Sequence, residues 1–304
     1  MRVGVVYMGN ESDRIWGGGV ITHYLVEALE ELGHQAWRVS ATEKADLSGL
    51  QPVDFVISEG VPAPMMPHEL RRKTRRVVYW WLSQLFYDEE AIAQAPFDGI
   101  ATNAHAAAHR LRARGVRVRT IDLAASPSLG LAAPRPEYIT FSTYLGNYPH
   151  KSQEQLDAML RPALPFGLSL WGRGWQTSSF RECYRGILPL LDIGPLYRSA
   201  KAVFAMTEDR QKKLGMVNNR IFEALASGAV VISDPHPFLS THELGPFVQF
   251  AASAETVRDV LERLERDPSL RRLAAEGQRC AWANHTYRHR AEQFVRFFED
   301  EIRQ

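Results

Sequence analysis

The sequence has little of several features that mark whole classes of protein. Among its 304 residues there are only two cysteines, Cys183 and Cys280, and their wide separation fits neither a disulfide framework nor a cysteine-based metal motif. The longest apolar stretch, residues 77–87, is much shorter than the ~20 residues of a membrane-spanning helix. The apolar run at residues 3–8 is too short for the core of a secretory signal. We therefore expect a cytoplasmic protein without a transmembrane segment, while peripheral membrane contact stays open.

The chain also lacks an excess of charge of either sign. Lysine and arginine together number 36 and aspartate and glutamate 35, which gives a net charge of +1. Proteins that wrap nucleic acid carry a large basic excess, so we expect no nucleic-acid partner. The hydrophobic content of 45% with 23% charged residues is typical of a folded globular protein. The length is sufficient for two domains of ordinary size.

Several catalytic and cofactor motifs are missing. No Asp-x-Asp pair, which would hold a metal-bound diphosphate, occurs in the sequence. Neither do a G-x-S-x-G elbow, a Walker phosphate loop or a G-x-G-x-x-G fingerprint. The last absence disfavours a Rossmann dehydrogenase. His105 and His109 are four residues apart but have no third ligand nearby in the sequence. We therefore predict no metal site and no protein-bound cofactor.

Short apolar runs alternate with helical patterns along the whole chain. Continuous rather than alternating apolar strands between helices are typical of parallel sheets covered on both faces. The predicted strands are residues 2–8, 35–40, 54–58, 76–82, 99–102, 116–121, 138–142, 166–171, 202–206 and 229–233. The predicted helices are residues 20–32, 105–114, 152–160, 219–227, 254–266, 268–283 and 287–303.

A stretch rich in Pro, Ser and Ala at residues 124–136 is the best candidate for a linker. It divides the chain into a first domain over residues 1–130 and a second over 137–284. The last segment, 285–304, is a helix that we expect to pack back toward the first domain. The predicted fold class is α/β, with two Rossmann-like parallel-sheet domains that face each other across a cleft. Ligands in such sheets bind at the carboxyl ends of the strands.

The segment NNRIFEALASGAVVISD, residues 218–234, is the most informative part of the sequence. It predicts a helix that starts at two asparagines, ends at Gly228 and leads into a buried strand. A helix start offers unpaired backbone N–H groups and a positive dipole end, which suit a diphosphate. Asn218 and Asn219 are candidate caps, and Arg220 could meet a phosphate from the first turn. Ordinary capping and a solvated arginine remain the alternatives.

Glu223 is the single carboxylate of this helix. A carboxylate that accepts hydrogen bonds from two neighbouring ribose hydroxyls makes a charge-assisted, selective contact. The alternative is a glutamate that only complements the helix dipole.

Other candidates lie in loops. The WGRGW segment, residues 171–175, could bring the backbone at Gly172 close to a base bordered by Trp171 and Trp175, although core packing is the usual role of tryptophan. His150, Lys151, Lys212 and Lys213 could balance the charge of a leaving diphosphate, or be ordinary surface charges. Gly17, Gly18 and Gly19 resemble an anion-cradling turn before a helix.

Three segments together make the chain resemble a GT-B-fold glycosyltransferase. They are GGGVITHYLVEALEELGHQAW (17–37), YRSAKAVFAMTEDRQKKLGMVNNRIFEALASGAVVISD (197–234) and HTYRHRAEQFVRFF (285–298). The middle segment resembles the donor-binding region of the family-4-like members. The last resembles the closing helix of a bacterial subgroup, the spore-maturation CgeB-like type.

The resemblance implies a role for each matching residue. Glu223 would bind the donor ribose, the WGRGW loop would line the base, and Gly18 and Gly19 would approach the donor phosphates from the opposite domain. Retaining members often have a second glutamate eight positions earlier, where this chain has Gly215. The backbone amides of Met216 and Val217 are the alternative contacts for the donor sugar. The resemblance further implies retaining, metal-independent transfer, in which dipoles and cations stabilise the departing diphosphate.

The expected partners are a UDP-, dTDP- or GDP-linked sugar as donor and a small molecule, a glycan or a protein as acceptor. His23, His105 and Lys151 are the candidate catalytic residues. The base that an inverting enzyme needs could be His23, Glu59, Asp88 or His105. Two alternatives stay open: a non-catalytic GT-B protein that binds a nucleotide or glycan, and a nucleotide-sugar epimerase or hydrolase.

Overall fold

The computed structural model describes residues 1–7, 17–41, 52–60, 72–74, 76–82, 89–127, 132–148 and 151–303. The chain forms two compact units. The first unit comprises Met1–Leu123, Lys213–Met216 and Tyr287–Gln304, and the second comprises Ala124–Lys212 and Val217–Thr286. Each unit contains its own parallel sheet.

The first unit contains a six-stranded parallel sheet in the order β2-β1-β3-β4-β5-β6. Every residue of β3 is buried, as expected for a parallel strand covered on both faces. The order reverses between β1 and β3, which makes that pair the switch point of the sheet. The strands are β1 Arg2–Tyr7, β2 Gln35–Ser40, β3 Phe55–Glu59, β4 Val77–Trp81, β5 Gly99–Thr102 and β6 Val118–Thr120, and the helices are α1 Gly17–Glu31, α2 Glu89–Gln94 and α3 His105–Ala113.

The second unit contains a five-stranded parallel sheet in the order β11-β10-β9-β7-β8. Its order reverses between β7 and β9, so the crevice for a ligand lies at the carboxyl ends of those two strands. The strands are β7 Thr140–Leu145, β8 Leu168–Trp171, β9 Ala200–Phe204, β10 Val230–Ser233 and β11 Val248–Phe250.

Seven helices accompany this sheet: α4 Gln153–Met159, α5 Ile193–Ser199, α6 Asp209–Leu214, α7 Asn219–Ala226, α8 Pro237–Thr241, α9 Ala254–Arg266 and α10 Pro268–Asn284. The last two residues of α6 belong to the first unit. Short 3₁₀ turns occur at Pro136–Tyr138, Arg161–Phe166, Trp175–Thr177, Arg181–Cys183, Leu190–Asp192 and Gly245–Phe247.

The C-terminal helix α11, Tyr287–Phe297, belongs to the first unit and continues as a π-helical turn, Phe298–Ile302. It packs on α1, where the Tyr24 and Tyr287 ring centroids are 5.5 Å apart. Its aromatic face also covers the sheet, because Phe298 stacks on Phe55 at 4.4 Å. The last segment of the chain therefore completes the core of the first unit.

The α/β class and the two parallel-sheet domains predicted from the sequence are confirmed. Two predicted strands start too early, because 3₁₀ turns at Pro136–Tyr138 and Arg161–Phe166 occupy the residues before β7 and β8. The strand predicted at 202–206 lies two residues earlier, at Ala200–Phe204. Strand β11 and helices α2, α5, α6 and α8 were not predicted, because three to seven residues give too little periodicity.

Candidate functional site

The switch point of the second sheet brings together the loops that follow β7 and β9 and the first turn of α7. Helix α7 has a strongly amphipathic sequence, and residues 221–226 are all buried. It begins after Asn218, whose extended backbone occupies the N-cap position. It ends at Gly228, whose φ of +77° is the left-handed conformation that follows many helices. With these boundaries, the first turn of α7 lies at the carboxyl ends of the strands of the second sheet.

The Asn218 side chain does not cap the helix, although the sequence made it a candidate cap. Its amide nitrogen donates instead to Thr207 Oγ1 at 2.7 Å. The first N–H groups of an α-helix have no acceptor within the helix, and no side-chain cap serves them here. The start of α7 therefore presents a positive dipole end with unused donors.

Arg220 joins the two strand ends of the switch point. Its guanidinium donates to the carbonyl oxygens of Leu145 at 3.1 Å and Met206 at 3.0 Å. Leu145 is the last residue of β7, and Met206 lies just past the end of β9. The guanidinium also lies over the Tyr144 ring, 5.1 Å from its centroid. A positive charge is thus fixed in the crevice by the backbone of both strands.

Glu223 is buried, with 5% of its surface exposed. Burial raises the pKa of its carboxyl to about 8, against the opposing effect of Arg220. The Asn219 side-chain amide donates to Glu223 Oε1. That amide is the one hydrogen-bond partner of the carboxylate among the described residues, so most of its acceptor capacity is unused.

Three consecutive residues at the start of α7 have buried polar atoms without a hydrogen-bond partner in the described part of the chain. They are Asn218 Oδ1, Asn219 Oδ1 and Arg220 Nε. Buried polar atoms in folded proteins are nearly always hydrogen-bonded, and where protein groups do not serve them, a water, an ion or a ligand usually does. Three such atoms beside a buried carboxylate indicate a site prepared for a polar ligand.

A second group of charges lies beside Arg220. The Lys151 side chain is 6% exposed and its Nζ is 3.4 Å from Glu208 Oε1. Burial first, and Arg220 second, lower the pKa of the Lys151 ammonium to about 8. Lys212 Nζ is 2.6 Å from Asp234 Oδ2. The carboxyl end of the second sheet therefore holds three cationic side chains and two carboxylates. They are Arg220, Lys151 and Lys212, and Glu208 and Asp234.

Asp234 organises this group and was not among the residues singled out from the sequence. It accepts hydrogen bonds from the Thr207 backbone N–H at 3.1 Å and from Gln155 Nε2 at 2.6 Å. Its position directly after the buried strand β10 was the signal that could have identified it, because ligand contacts in parallel sheets come from such positions.

The WGRGW loop follows β8. Gly172 has a φ of +127°, and a Cβ at this position would lie 2.4 Å from the Gly146 carbonyl oxygen. Trp175 is 1% exposed and packs in the core with Tyr144. Its indole N–H donates to the Gly146 oxygen at 2.6 Å, and that of Trp171 donates to Ser169 Oγ at 3.3 Å. Both indoles pack inside the unit, and the loop backbone lies against the end of β7.

The segment between α6 and α7 crosses from one unit to the other. Lys213 and Met216 belong to the first unit, where Met216 forms a β-bridge with Ala104, whereas Val217 belongs to the second. Gly215, where the sequence departs from the pattern it otherwise resembles, has a φ of +76°. Side chains other than glycine are strained in that conformation.

The switch point of the first sheet contains Gly18, Gly19 and Glu59. Glu59 ends β3 and is 6% exposed, and burial raises the pKa of its carboxyl to about 7. A Cβ on Gly18 would lie 2.4 Å from Glu59 Oε2, so the carboxylate lies directly against the start of α1. Arg38 Nη1 donates to the Gly19 carbonyl oxygen at 3.2 Å.

The two candidate catalytic histidines of the first unit each face a carboxylate. His23 Nε2 is 3.2 Å from Glu27 Oε1 on the exposed face of α1. His105 Nε2 is 2.7 Å from Asp122 Oδ1. Asp88 and His150 lie outside the described residues.

Comparison with known proteins gives the chain a fold, and one family model matches part of it. Residues 152–296 match the model of a family described as glycosyl transferase-like. No curated protein sequence matches the chain. In the part that the structure describes, no helix combines the length and the apolar content that membrane crossing requires.

Three solved structures cover nearly the whole chain. AviGT4, a glycosyltransferase involved in avilamycin A biosynthesis, is 17% identical with a TM-score of 0.65, over 99% of this chain and 98% of its own. The T4 phage β-glucosyltransferase in complex with UDP-glucose is 12% identical with a TM-score of 0.64, over 100% of both chains. Anabaena HepE in complex with UDP-glucose is 12% identical with a TM-score of 0.65, over 98% of this chain and 99% of its own. The chain therefore has the fold of the GT-B glycosyltransferases, and its residues 152–296 match the glycosyl transferase-like family.

Proposed function

We propose that this protein is a nucleotide-sugar-dependent glycosyltransferase whose donor site is the switch point of the second sheet. One observation carries the proposal: among the described residues, Asn218, Asn219 and Arg220 each have a buried polar atom without a partner, next to the buried carboxylate of Glu223. Arg220 Nε is a donor for a diphosphate, whereas the two asparagine oxygens and the carboxylate are acceptors for hydroxyl groups. The UDP-glucose complexes of two proteins with this fold are consistent with it.

In this proposal the reaction breaks the bond between the anomeric carbon and the diphosphate oxygen. A new bond forms between that carbon and an acceptor hydroxyl, whose proton is released. The N–H groups at the start of α7, together with Arg220 and Lys151, balance the charge of the departing nucleoside diphosphate. Transfer is then independent of a divalent cation, so turnover should not change when Mg²⁺ and Mn²⁺ are omitted.

Glu223 holds the ribose in this proposal. Two hydroxyl donors favour the ionised carboxylate, so they oppose the burial that raises its pKa to about 8. We further propose a hexosyl donor, retention of configuration at the anomeric carbon, a cytoplasmic location and membership of the spore-maturation CgeB-like subgroup. The anomer of the product, read by NMR, tests retention directly.

The first experiment is a panel of UDP, dTDP and GDP and their sugars, tested for a rise in melting temperature and for affinity by calorimetry. Glu223→Ala should weaken nucleotide binding by about 1.5–3 kcal/mol, the usual effect of losing a charged hydrogen bond. Glu262→Ala, on the exposed face of α9 in the same unit, is the matched control and should bind normally. The donor-site proposal is wrong if no nucleoside diphosphate raises the melting temperature at millimolar concentration.

A second experiment separates an enzyme from a binding protein. Incubation with each nucleotide sugar, with and without candidate acceptors, should release the nucleoside diphosphate. Binding without release or transfer would favour the non-catalytic alternative. Conversion of the sugar while it remains attached to the nucleotide would favour an epimerase.

A further inference from the structure

A cluster of metal-binding side chains lies in the second unit, away from the carboxyl ends of its strands. Glu243, Cys280 and His285 meet there, with their ligand atoms all within 4.8 Å of one another. Cys280 Sγ is 3.3 Å from Glu243 Oε1, and His285 Nε2 is 3.2 Å from Glu243 Oε2. Within the described ranges no other three His, Cys, Asp or Glu side chains meet so closely.

The three side chains come from separate elements. Glu243 follows helix α8, Cys280 lies in the last turns of α10, and His285 is the C-cap of α10. Glu243 is 37 residues from Cys280 and 42 from His285. Sequence spacing therefore does not indicate the cluster, and only the packing of α10 beside the segment after α8 creates it.

The geometry suits a tetrahedral ion. Two ligands of a tetrahedral Zn²⁺ at the usual bond lengths lie roughly 3.3–3.5 Å apart. The three ligand atoms here lie within 4.8 Å of one another, so small side-chain shifts bring them to that spacing. A thiol, an imidazole and a carboxylate form a borderline-soft ligand set that suits Zn²⁺ better than Mg²⁺ or Ca²⁺. The Asn284 amide donates to Glu243 Oε1 and so orients the carboxylate. The Glu243 side chain is half exposed, which leaves a path for an ion from solvent.

The arrangement does not suit a nucleophilic cysteine. A cysteine nucleophile is activated by a neighbouring histidine or other positive charge that stabilises the thiolate. Here the carboxylate of Glu243 lies between the thiol of Cys280 and the imidazole of His285. Its negative charge disfavours a reactive thiolate when no metal ion is bound.

We propose that Glu243, Cys280 and His285 bind a transition-metal ion, with Zn²⁺ as the best match and water as the fourth ligand. Binding forms a zinc–thiolate bond and releases the thiol proton to solvent. The ion would stabilise the packing of α10 against helix α7. The Phe222 ring, next to Glu223 in the sequence, lies 5.5 Å from the His285 ring. Trp282 of α10 donates to the Ala226 carbonyl oxygen at 3.0 Å.

The test uses the reduced, chelator-treated full-length protein, titrated with ZnCl₂ and separately with CoCl₂. We expect stoichiometric binding, a rise in melting temperature with Zn²⁺, and a thiolate-to-cobalt charge-transfer absorption with Co²⁺. Cys280→Ser should abolish that absorption and weaken Zn²⁺ binding at least as much as the roughly 10–100-fold caused by outer-shell changes. Cys183→Ser, at the other free cysteine, is the matched control and should retain both properties.

The proposal is overturned if the wild-type protein shows no cobalt–thiolate absorption, if Cys280→Ser keeps it, or if Cys183→Ser loses it. Should Cys280→Ser fail to fold, Glu243→Gln decides the question, because its amide can still bond to its neighbours. Unchanged Zn²⁺ affinity in that variant rejects the site. The rise in melting temperature with UDP, measured on the same variants, reports on the donor site separately.

Discussion

The two sheets have the same order around their switch points but end in different chemistry. At the β7/β9 point of the second sheet, Arg220 joins both strand ends and Glu223 lies beside it with unused acceptor capacity. At the β1/β3 point of the first sheet, the buried carboxylate of Glu59 lies against Gly18. Among the described residues, Glu59 has no ion-pair or hydrogen-bond partner.

This difference shows that strand order supplies a crevice but not a ligand. Each sheet also places an arginine over a tyrosine ring, Arg38 over Tyr7 at 4.6 Å and Arg220 over Tyr144 at 5.1 Å. Arg38 is bonded to the start of α1 and to Tyr7, whereas Arg220 is bonded to both strands of its switch point. The second crevice therefore differs from the first in that its arginine is held by the carbonyl oxygens of both strands of the switch point.

The largest expected effect is on the pH dependence of stability. Burial raises the pKa from an ordinary 4.5 to about 8 for Glu223 and to about 7 for Glu59. The folded state therefore keeps protons that the unfolded chain releases, so stability falls as the pH rises from near 4.5 through these values. Between pH 5 and 8 the loss is on the order of 3 kcal/mol for Glu223 and about 2 kcal/mol for Glu59.

Glu223→Gln and Glu59→Gln, unfolded in urea at pH 5 and pH 8, test this difference. Each variant should lose part of the wild-type pH dependence, and Glu223→Gln the larger part. If the stability of both variants falls between pH 5 and pH 8 as much as that of the wild type, neither carboxyl has a raised pKa in the folded protein.

The next effect compares two close backbone approaches. Gly172→Ala should destabilise the protein by roughly 2–3 kcal/mol, because its Cβ meets a carbonyl oxygen and its φ is positive. Gly18→Ala should cost about 1–2 kcal/mol, since its Cβ meets the end of a side chain that can move. Denaturant midpoints measure both. If Gly18→Ala lowers the denaturant midpoint as much as Gly172→Ala does, or more, the contact at Gly172 is not the more rigid one.

Arginine replacement separates the two crevices by ligand binding. Arg220→Ala should weaken UDP binding by about 1.5–3 kcal/mol, because a fixed charge near the diphosphate is lost. Arg38→Ala, the matched change in the first unit, should lower stability and leave UDP affinity unchanged. Calorimetric titration of folded variants measures the affinities. Equal losses of UDP affinity in the two variants would show that the two crevices do not differ in nucleotide binding.

The smallest expected effect concerns two further cationic or titratable side chains, Lys151 and His23. Lys151→Ala should weaken the binding of a nucleoside diphosphate by ~1 kcal/mol, as its ammonium is already engaged with Glu208. His23→Ala in the first unit should not change nucleotide affinity, whatever it does to turnover. Fluorescence or calorimetric titration with UDP decides, and a larger loss for His23→Ala would contradict the comparison.

The class of fold and the helix of the candidate site were predictable from local pattern. Continuous apolar strands between helices indicated parallel sheets, and the segment from Asn218 to Gly228 indicated helix α7 with its correct start and stop. Short elements such as β11 were missed because three residues carry no periodic signal.

The partners of the candidate site were not predictable. The sequence indicated that Arg220 lies in the first turn of a helix, but not that its guanidinium would join Leu145 to Met206. It also did not indicate Asp234, which binds Lys212 and Gln155 from other elements. In the sequence, Gly215 was only a departure from the glycosyltransferase pattern. The structure shows that its φ is positive, a conformation in which a glutamate would be strained.

By itself, the sequence determined two parallel-sheet domains, the helix start at Asn218 and the presence of one carboxylate, Glu223, in that helix. These depend on periodicity and on residues at element boundaries, such as Gly228 with its positive φ, which act over a few neighbouring positions. Tertiary structure alone decided that Glu223 is buried, that Arg220 is held by two strands, and that Cys280 meets Glu243 and His285. Burial and contacts between residues distant in sequence arise from the packing of whole elements, and so no local pattern contains them.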